Sequence, residues 1–269
     1  MPDQTASPGL SFQPVSGLAD VERARQFLLA QGWAGLPAGA HLLRLVDQGV
    51  DPAGVIWWVP GRAGEPRALA LLHQGLLGFL LTSNDEGPAA RTMLENNLAR
   101  LQQVHVPAGQ VDCSSLEAFD SYHRDIAVAP SVRPPAAALP PTREGVMEDA
   151  EQIHRVYQHV SWMRRESPEE WRERIAQQRS WVAELQGQVV AVARWTMAFG
   201  GWVEVGGVAT HPDSRRKGAG AAVTLAATSA ALAEGRQVAL RYGDPALAAL
   251  YHPLGFEHVG RELVFYRRS

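Results

Sequence analysis

Thirteen consecutive residues constrain this chain more than any others: Val208, Ala209, Thr210, His211, Pro212, Asp213, Ser214, Arg215, Arg216, Lys217, Gly218, Ala219 and Gly220. An apolar run ends at Thr210, a polar turn follows, and three cations lead through Gly-x-Gly into an alanine-rich helix. The first amides of a helix have no acceptor inside it and carry the positive end of its dipole. Glycine lets a backbone approach an anion with no Cβ in the way. Three cations beside that dipole repel it, so the run reads as a place where an anion joins them.

The bulk composition narrows the setting. With 269 residues, 46% of them apolar, and eight tryptophans, the chain has enough material for one large domain or two modest ones. A formal net charge of −3 gives no electrostatic case for nucleic acid. A single cysteine, Cys113, rules out an internal disulfide and a cysteine-based metal site and suits a reducing compartment, so a cytoplasmic location is expected. Residues 1–10 are polar and do not read as a signal peptide. No run reaches the about 20 apolar residues that span a bilayer, so no membrane role is expected. Lys217, in the middle of the cationic turn, is the chain's only lysine.

Alanine and proline dominate residues 127–141, which reads as a linker and divides the chain at residue 138. In the first half, residues 19–29 and 88–103 have helical spacing, and residues 54–59, 68–72, 76–81 and 104–106 read as strands. In the second half, residues 149–160 are helical, and Ser167, Pro168 and Glu170 open another helix with a capping box. Three strands follow, over 181–185, 189–197 and 202–210, joined at Gln186-Gly187 and at Phe199-Gly200-Gly201. A helix spans 218–233, its buried stripe expected at Ala222, Leu225, Ala226, Ser229 and Leu232. Residues 237–240 form a strand, 245–251 a helix, and 256–260 with 263–266 a closing hairpin. The class is mixed α/β, with a mostly antiparallel sheet flanked by helices.

Two phosphate-binding motifs fail on their spacing. A P-loop needs Gly-x4-Gly-Lys-Ser/Thr, and a dinucleotide fingerprint needs a third glycine where Val223 stands. The run with its surroundings resembles instead the GNAT superfamily of acyl-CoA-dependent N-acetyltransferases. Residues 215–220 are similar to that family's Arg/Gln-x-x-Gly-x-Gly/Ala signature, and Tyr251 to Phe256 to its Tyr-x-x-x-Gly-Phe ending. The resemblance covers residues 142–268 and agrees with the element order above. It implies that Arg215, Arg216, Lys217, Gly218, Ala219, Gly220 and Ala221 hold the coenzyme A pyrophosphate. Val208, Ala209 and Thr210 would offer backbone groups to the pantetheine and the acyl carbonyl. Acetyl-CoA is then a co-substrate, and no metal is needed: His154 and His159 do not share a helix face and lack a third ligand. Neutralising Lys217 is expected to weaken coenzyme binding more than it alters the choice of acceptor.

The resemblance also offers catalytic residues. Glu204 matches a glutamate general base; the alternative is a carboxylate facing solvent or paired with an arginine. Tyr251 matches a tyrosine that protonates the leaving thiolate; the alternative is a packing tyrosine. Trp162 and Arg164 fall in the connection that lines the acceptor site in such folds, or else merely pack. Asp244 stands where the family often has an asparagine touching the coenzyme, which puts that contact in doubt, and Pro253 should end its helix early. The first half looks like a degenerate copy of the same fold. Its loop Thr82-Ser83-Asn84-Asp85-Glu86-Gly87-Pro88 is acidic, so one coenzyme site is expected, in a GNAT domain over 139–269 preceded by a GNAT-like domain over 1–138. That first domain would shape the acceptor pocket or form a homodimer surface. The expected activity is acetyl transfer from acetyl-CoA to a primary amine of a small molecule or peptide, by direct attack. A non-catalytic acyl-CoA-binding regulatory module is the rival. The acceptor itself is not named by any residue pattern.

Overall fold

The computed structural model describes residues 10–51, 54–61, 63–160 and 166–268. The chain folds into two compact units. The first runs to Asp125 and takes back Gly260 onward; the second is Ile126–Val259. This division differs from the one at residue 138 expected from composition, and the chain end belongs with the first unit.

In the first unit, β1 (Gln13–Pro14), α1 (Gly17–Ala30) and α2 (Leu36–Asp47) precede β2 (Ile56–Pro60), β3 (Pro66–His73) and β4 (Leu76–Leu81). Helix α3 (Gly87–Asn97) then leads to β5 (Gln103–Pro107). Neighbouring strands in β1-β2-β3-β4 pair antiparallel, whereas β4 and β5 run parallel, Leu77 opposite Val104. The edge beyond β5 is filled from the other end of the sequence, with Phe265 opposite Val104 and Leu263 opposite Val106. Leu77, Leu94, Val104 and Phe265 share one core. Helix α3 stops at Asn97, and a 3-10 turn over Leu98–Arg100 replaces the last turns expected up to 103. Helix α2 had no counterpart among the expected elements.

The second unit starts inside strand β6 (Phe119–Ala129). Here the linker reading needs correction. Residues 127–129 are strand, and Ala127 and Ala129 are buried in the core of this unit. Small apolar side chains that suit a loosely packed linker equally suit a strand covered on both faces. There follow β7 (Thr142–Glu144), α4 (Ala150–Tyr157), α5 (Pro168–Gln177), β8 (Ser180–Leu185), β9 (Gln188–Phe199) and β10 (Trp202–Thr210). Helix α6 (Ala219–Ala233), β11 (Gln237–Tyr242) and α7 (Ala248–Tyr251) complete it. Strand order is β6-β11-β10-β9-β8-β7. Both hairpin turns have two positive φ values, 54° and 74° at Gln186 and Gly187, 58° and 83° at Gly200 and Gly201. That is the geometry whose twist matches antiparallel strands. Ser167 and Glu170 make the expected reciprocal cap at the start of α5.

One face of this sheet packs on α6 and α7, the other on α4 and α5. Of the expected α6 stripe, Ala222 and Leu225 are buried, whereas Ala226 and Leu232 are half-buried. Val223, Ala227 and Ala231 are fully buried, Thr224 and Thr228 equally so, while Ser229 is exposed. A helix that is apolar nearly all round has no readable stripe. The expected closing hairpin is also absent: residues 257–267 form one strand, β12 (Glu257–Arg267). Gly260 is no turn. A Cβ there would lie 3.1 Å from the Trp33 ring, so the glycine serves a close approach.

Candidate functional site

Strands β10 and β11 pair in parallel only at Trp202, Val203 and Glu204, opposite Gln237, Val238 and Ala239. Both continue beyond that point without further register. On its other edge β10 stays with β9 as far as Thr210, but with irregularities between Glu204 and Val205 and between Gly206 and Ala209. From Val205 onward the edge of β10 facing β11 therefore carries backbone groups with no strand partner. This stretch includes Val208, Ala209 and Thr210, the last two still held on their β9 side by Val192 and Ala191.

The strand leads to the start of α6. Ser214 N donates to His211 O and Arg215 N to Pro212 O, closing a 3-10 turn. Arg216 then takes φ 59° and Gly218 φ 80°. Left-handed backbone at a non-glycine residue costs energy and marks a loop held in shape by its surroundings. The first helical bond runs from Ala222 N to Gly218 O at 2.9 Å. The amides of Ala219, Gly220 and Ala221 thus have no intrahelical acceptor, and the N-cap Gly218 has no side chain to offer one. Lys217 Nζ donates to Asp213 O at 2.8 Å and so lies back along the turn. A Cβ on Gly220 would sit 3.2 Å from Thr210 Oγ1 and 4.0 Å from Leu250. Strand end, helix start and α7 converge there.

The equivalent helix start in the first unit is closed. Ser83 and Glu86 form a reciprocal capping box, and Glu86, fully buried, accepts from Ser83 N at 2.7 Å and from Arg67 at 2.9 Å. That start carries its own carboxylate where α6 carries none.

Tyr251 is the last residue of α7, followed by a 3-10 turn through Pro253. It is 4% exposed and packs against Tyr242 and Phe256. Among the described residues its hydroxyl has no hydrogen-bond partner, and burial pushes that hydroxyl well above the usual tyrosine range. Asp244 acts locally, its side chain accepting from Ala246 N at 2.9 Å and capping the turn before α7.

Glu204 is buried on the α4/α5 face, with both oxygens engaged. Thr196 Oγ1 donates to Oε1 at 2.6 Å, and Arg241 Nε to Oε2 at 2.5 Å. The parallel register sets Glu204 opposite Ala239, so Arg241, two residues on, shares its face. An arginine partner was the alternative reading of Glu204, and the register identifies that arginine as Arg241. Beyond Glu204 come the paired glycines of the irregular stretch. A Cβ on Gly206 would lie 3.5 Å from Glu204 Oε1, and one on Gly207 2.7 Å from Arg194 Nε and 2.9 Å from the Tyr157 hydroxyl. Tyr157 donates to Gly207 O, and burial pushes its pKa up to about 12. Trp162 and Arg164, expected to line the acceptor side, lie outside the described residues. Among those residues no group of three His, Cys, Asp or Glu is placed to hold a metal ion. No helix there is long and apolar enough to cross a membrane.

Comparison with known proteins agrees with this geometry. Residues 146–256 match the Acetyltransferase (GNAT) family. No curated protein matches the chain. Among solved structures, a GCN5-related N-acetyltransferase from Sphaerobacter thermophilus aligns with TM-score 0.61 and 16% identity over 94% of each chain. A GNAT-family acetyltransferase from Colwellia psychrerythraea aligns with TM-score 0.60 and 10% identity, over 96% of this chain and 100% of the other. A tandem GNAT protein from the clavulanic acid biosynthesis pathway aligns at 0.53 and 15%, over 95% and 97%. At such identities the likeness is one of fold, and it extends over both units. The splayed strands and the uncapped helix start lie within residues 146–256, the part of the chain that is similar to the Acetyltransferase (GNAT) family, and the fold of the whole chain is that of the solved GNAT proteins.

Proposed function

We propose that the second unit transfers an acetyl group from acetyl-CoA to a primary amine of a small molecule or peptide, by direct attack of the amine on the thioester. The observation that carries this reading is the parting of β10 from β11 after Glu204, directly upstream of a helix start that lacks a cap. The parted edge has the length and the free backbone groups to hold an extended amide-bearing arm as an added strand would be held. The amides of Ala219, Gly220 and Ala221, with Arg215, Arg216 and Lys217 before them, suit a pyrophosphate at the arm's end. An amide of the parted stretch, at Val208, Ala209 or Thr210, would stabilise the oxyanion that develops when the amine attacks.

Tyr251 is the proposed acid. Burial keeps its proton in place at neutral pH, and a thiolate released into the same apolar surroundings is raised by the same desolvation, so the transfer stays close to balanced. Glu204 is the proposed base. A carboxylate has about four lone-pair sites, so its bonds to Thr196 and Arg241 leave room to accept a proton from an amine directly or through one water.

The test is acyl transfer by the purified chain with acetyl-CoA and a broad amine panel. Tyr251→Phe is expected to lower kcat at least tenfold while coenzyme A binding, read by calorimetry, stays within twofold. A wild-type protein that binds acetyl-CoA and acylates no amine would sink the enzyme reading and leave a binding module.

A further inference from the structure

On the α4/α5 face of the second unit, a pocket is lined by Ile153, Trp171, Arg174, Gln178, Ser180 and Arg194, among others. Its polar groups are unusual. Arg194 is 7% exposed, Trp171 2% and Ser180 3%. Arg194 Nε, Trp171 Nε1 and Ser180 Oγ are all buried, and among the described residues none has a hydrogen-bond partner. Each is a donor, and the first two are nothing else. A buried donor left without an acceptor bears its full desolvation penalty, so three on one pocket are a standing cost that an oxygen acceptor would relieve.

The charge points the same way. Arg174 is neutralised by Glu166 at 2.6 Å. Arg194 has no carboxylate within ion-pair distance among the described residues. Its guanidinium reaches Gln178 Oε1 at 3.2 Å and lies over the Trp171 ring at 5.2 Å, with the Tyr157 hydroxyl near it and Glu166 farther off. An unpaired buried cation is costly unless a counter-anion arrives. The register places Arg194 opposite Ser180 on one side and Gly206 on the other, in one row across β8, β9 and β10. Gly207 leaves open the space beside Arg194 Nε that a Cβ would fill. Glu204 borders the same pair of glycines from the other side.

We infer that this pocket binds a carboxylate of the acceptor, so the substrate is an amino acid or a related amine that bears a carboxylate close to its nitrogen. The inference rests on the acyl-transfer reading for the word acceptor, and on the pocket alone for the word carboxylate. The carboxylate would enter toward Arg194, Trp171 and Ser180, which leaves the nearby amine at the glycine pair and within the reach of Glu204. The space in this pocket is about that of one water, which is room for a single carboxylate oxygen.

The test uses free α-amino acids in pairs with their primary amides, at equal free-amine concentration. Two signals are read: the ligand-induced shift in melting temperature, and kcat/KM with acetyl-CoA. The acids are expected to raise the melting temperature and to exceed their amides at least tenfold in kcat/KM. In Arg194→Met the acid-over-amide ratio is expected to fall to about one, with no loss of thermal stability in the absence of ligand, because a buried cation without a counter-ion has been removed. Equal response to acids and amides in wild type, in both signals, overturns the inference and leaves a pocket that holds water. A ratio that survives in Arg194→Met also overturns it. If no amine is acylated, the acyl-transfer reading fails, and the melting shift still decides the carboxylate site. If Arg194→Met does not fold, the wild-type pairs decide alone.

Discussion

At the level of single residues, Glu204 shows how far chemistry can be read before register is known. Its type and position suggest a base, with an arginine partner as the alternative. The arginine partner is present in Arg241, and the role of base is a proposal made beside it. Glu204 and Arg241 have side chains only 11% and 10% exposed, so their bond is little screened. Removing one member of such a pair strands the other, at a cost of about 3–5 kcal/mol. Arg241→Met is therefore expected to lower unfolding stability by about 3 kcal/mol in a denaturant titration. Adding Glu204→Leu is expected to restore much of that loss, because the stranded charge goes with it; an additive double variant would mean that the pair is not coupled. Tyr251 was legible from its motif, but its packing against Tyr242 and the lack of a hydroxyl partner among the described residues needed the fold. Arg194 carried no sequence signal at all. It stands among Val190, Val192 and Ala193 on an apolar strand, and only packing shows that it is buried with no carboxylate at ion-pair distance among the described residues.

At the level of elements, two helix starts differ in one respect that governs what each can bind. Helix α3 follows a capping box with a buried glutamate, and α6 follows a glycine with φ 80°. The second geometry is intolerant of a side chain. A Cβ on Gly218 would meet Leu139 Cδ2 at 3.0 Å as well as the left-handed backbone penalty. Gly218→Ala is expected to cost about 1–2 kcal/mol of stability and to weaken coenzyme A binding several-fold, read by thermal denaturation and calorimetry on one preparation. Unchanged coenzyme affinity in a destabilised variant would dissociate this helix start from the ligand. The hairpins and the α5 cap were legible because glycine pairs and a Ser-Pro-x-Glu sequence act within four residues. Strand β6 was hidden because alanine and proline were read by composition, whereas burial of Ala127 and Ala129 depends on neighbours distant in sequence.

For the whole molecule, the chain end decides the architecture. Strand β12 leaves the second unit at Val259 and completes the sheet of the first from Gly260, beside β5. Phe265 is 8% exposed within the core that holds Leu77 and Leu94. Phe265→Ala is expected to destabilise the first unit by about 3 kcal/mol or more. Hydrogen exchange should then rise over β2 to β5 and stay nearly unchanged over α6 and β10. Faster exchange confined to the second unit would contradict this assignment of the chain end.

What the sequence determined by itself was local: the hairpin turns, the helix caps, the cationic turn into Gly-x-Gly and the motif around Tyr251. Each acts through backbone preferences or spacing within a few residues, and together they were enough to indicate the fold. The tertiary structure alone decided which residues meet. Parallel register set Arg241 beside Glu204, the β10 irregularity opened Gly206 and Gly207 toward Arg194, and the C-terminal strand crossed to the unit built first. These pairings depend on long-range closure, whose entropy grows only slowly with loop length. Sequence distance therefore does little to forbid them and nothing to announce them.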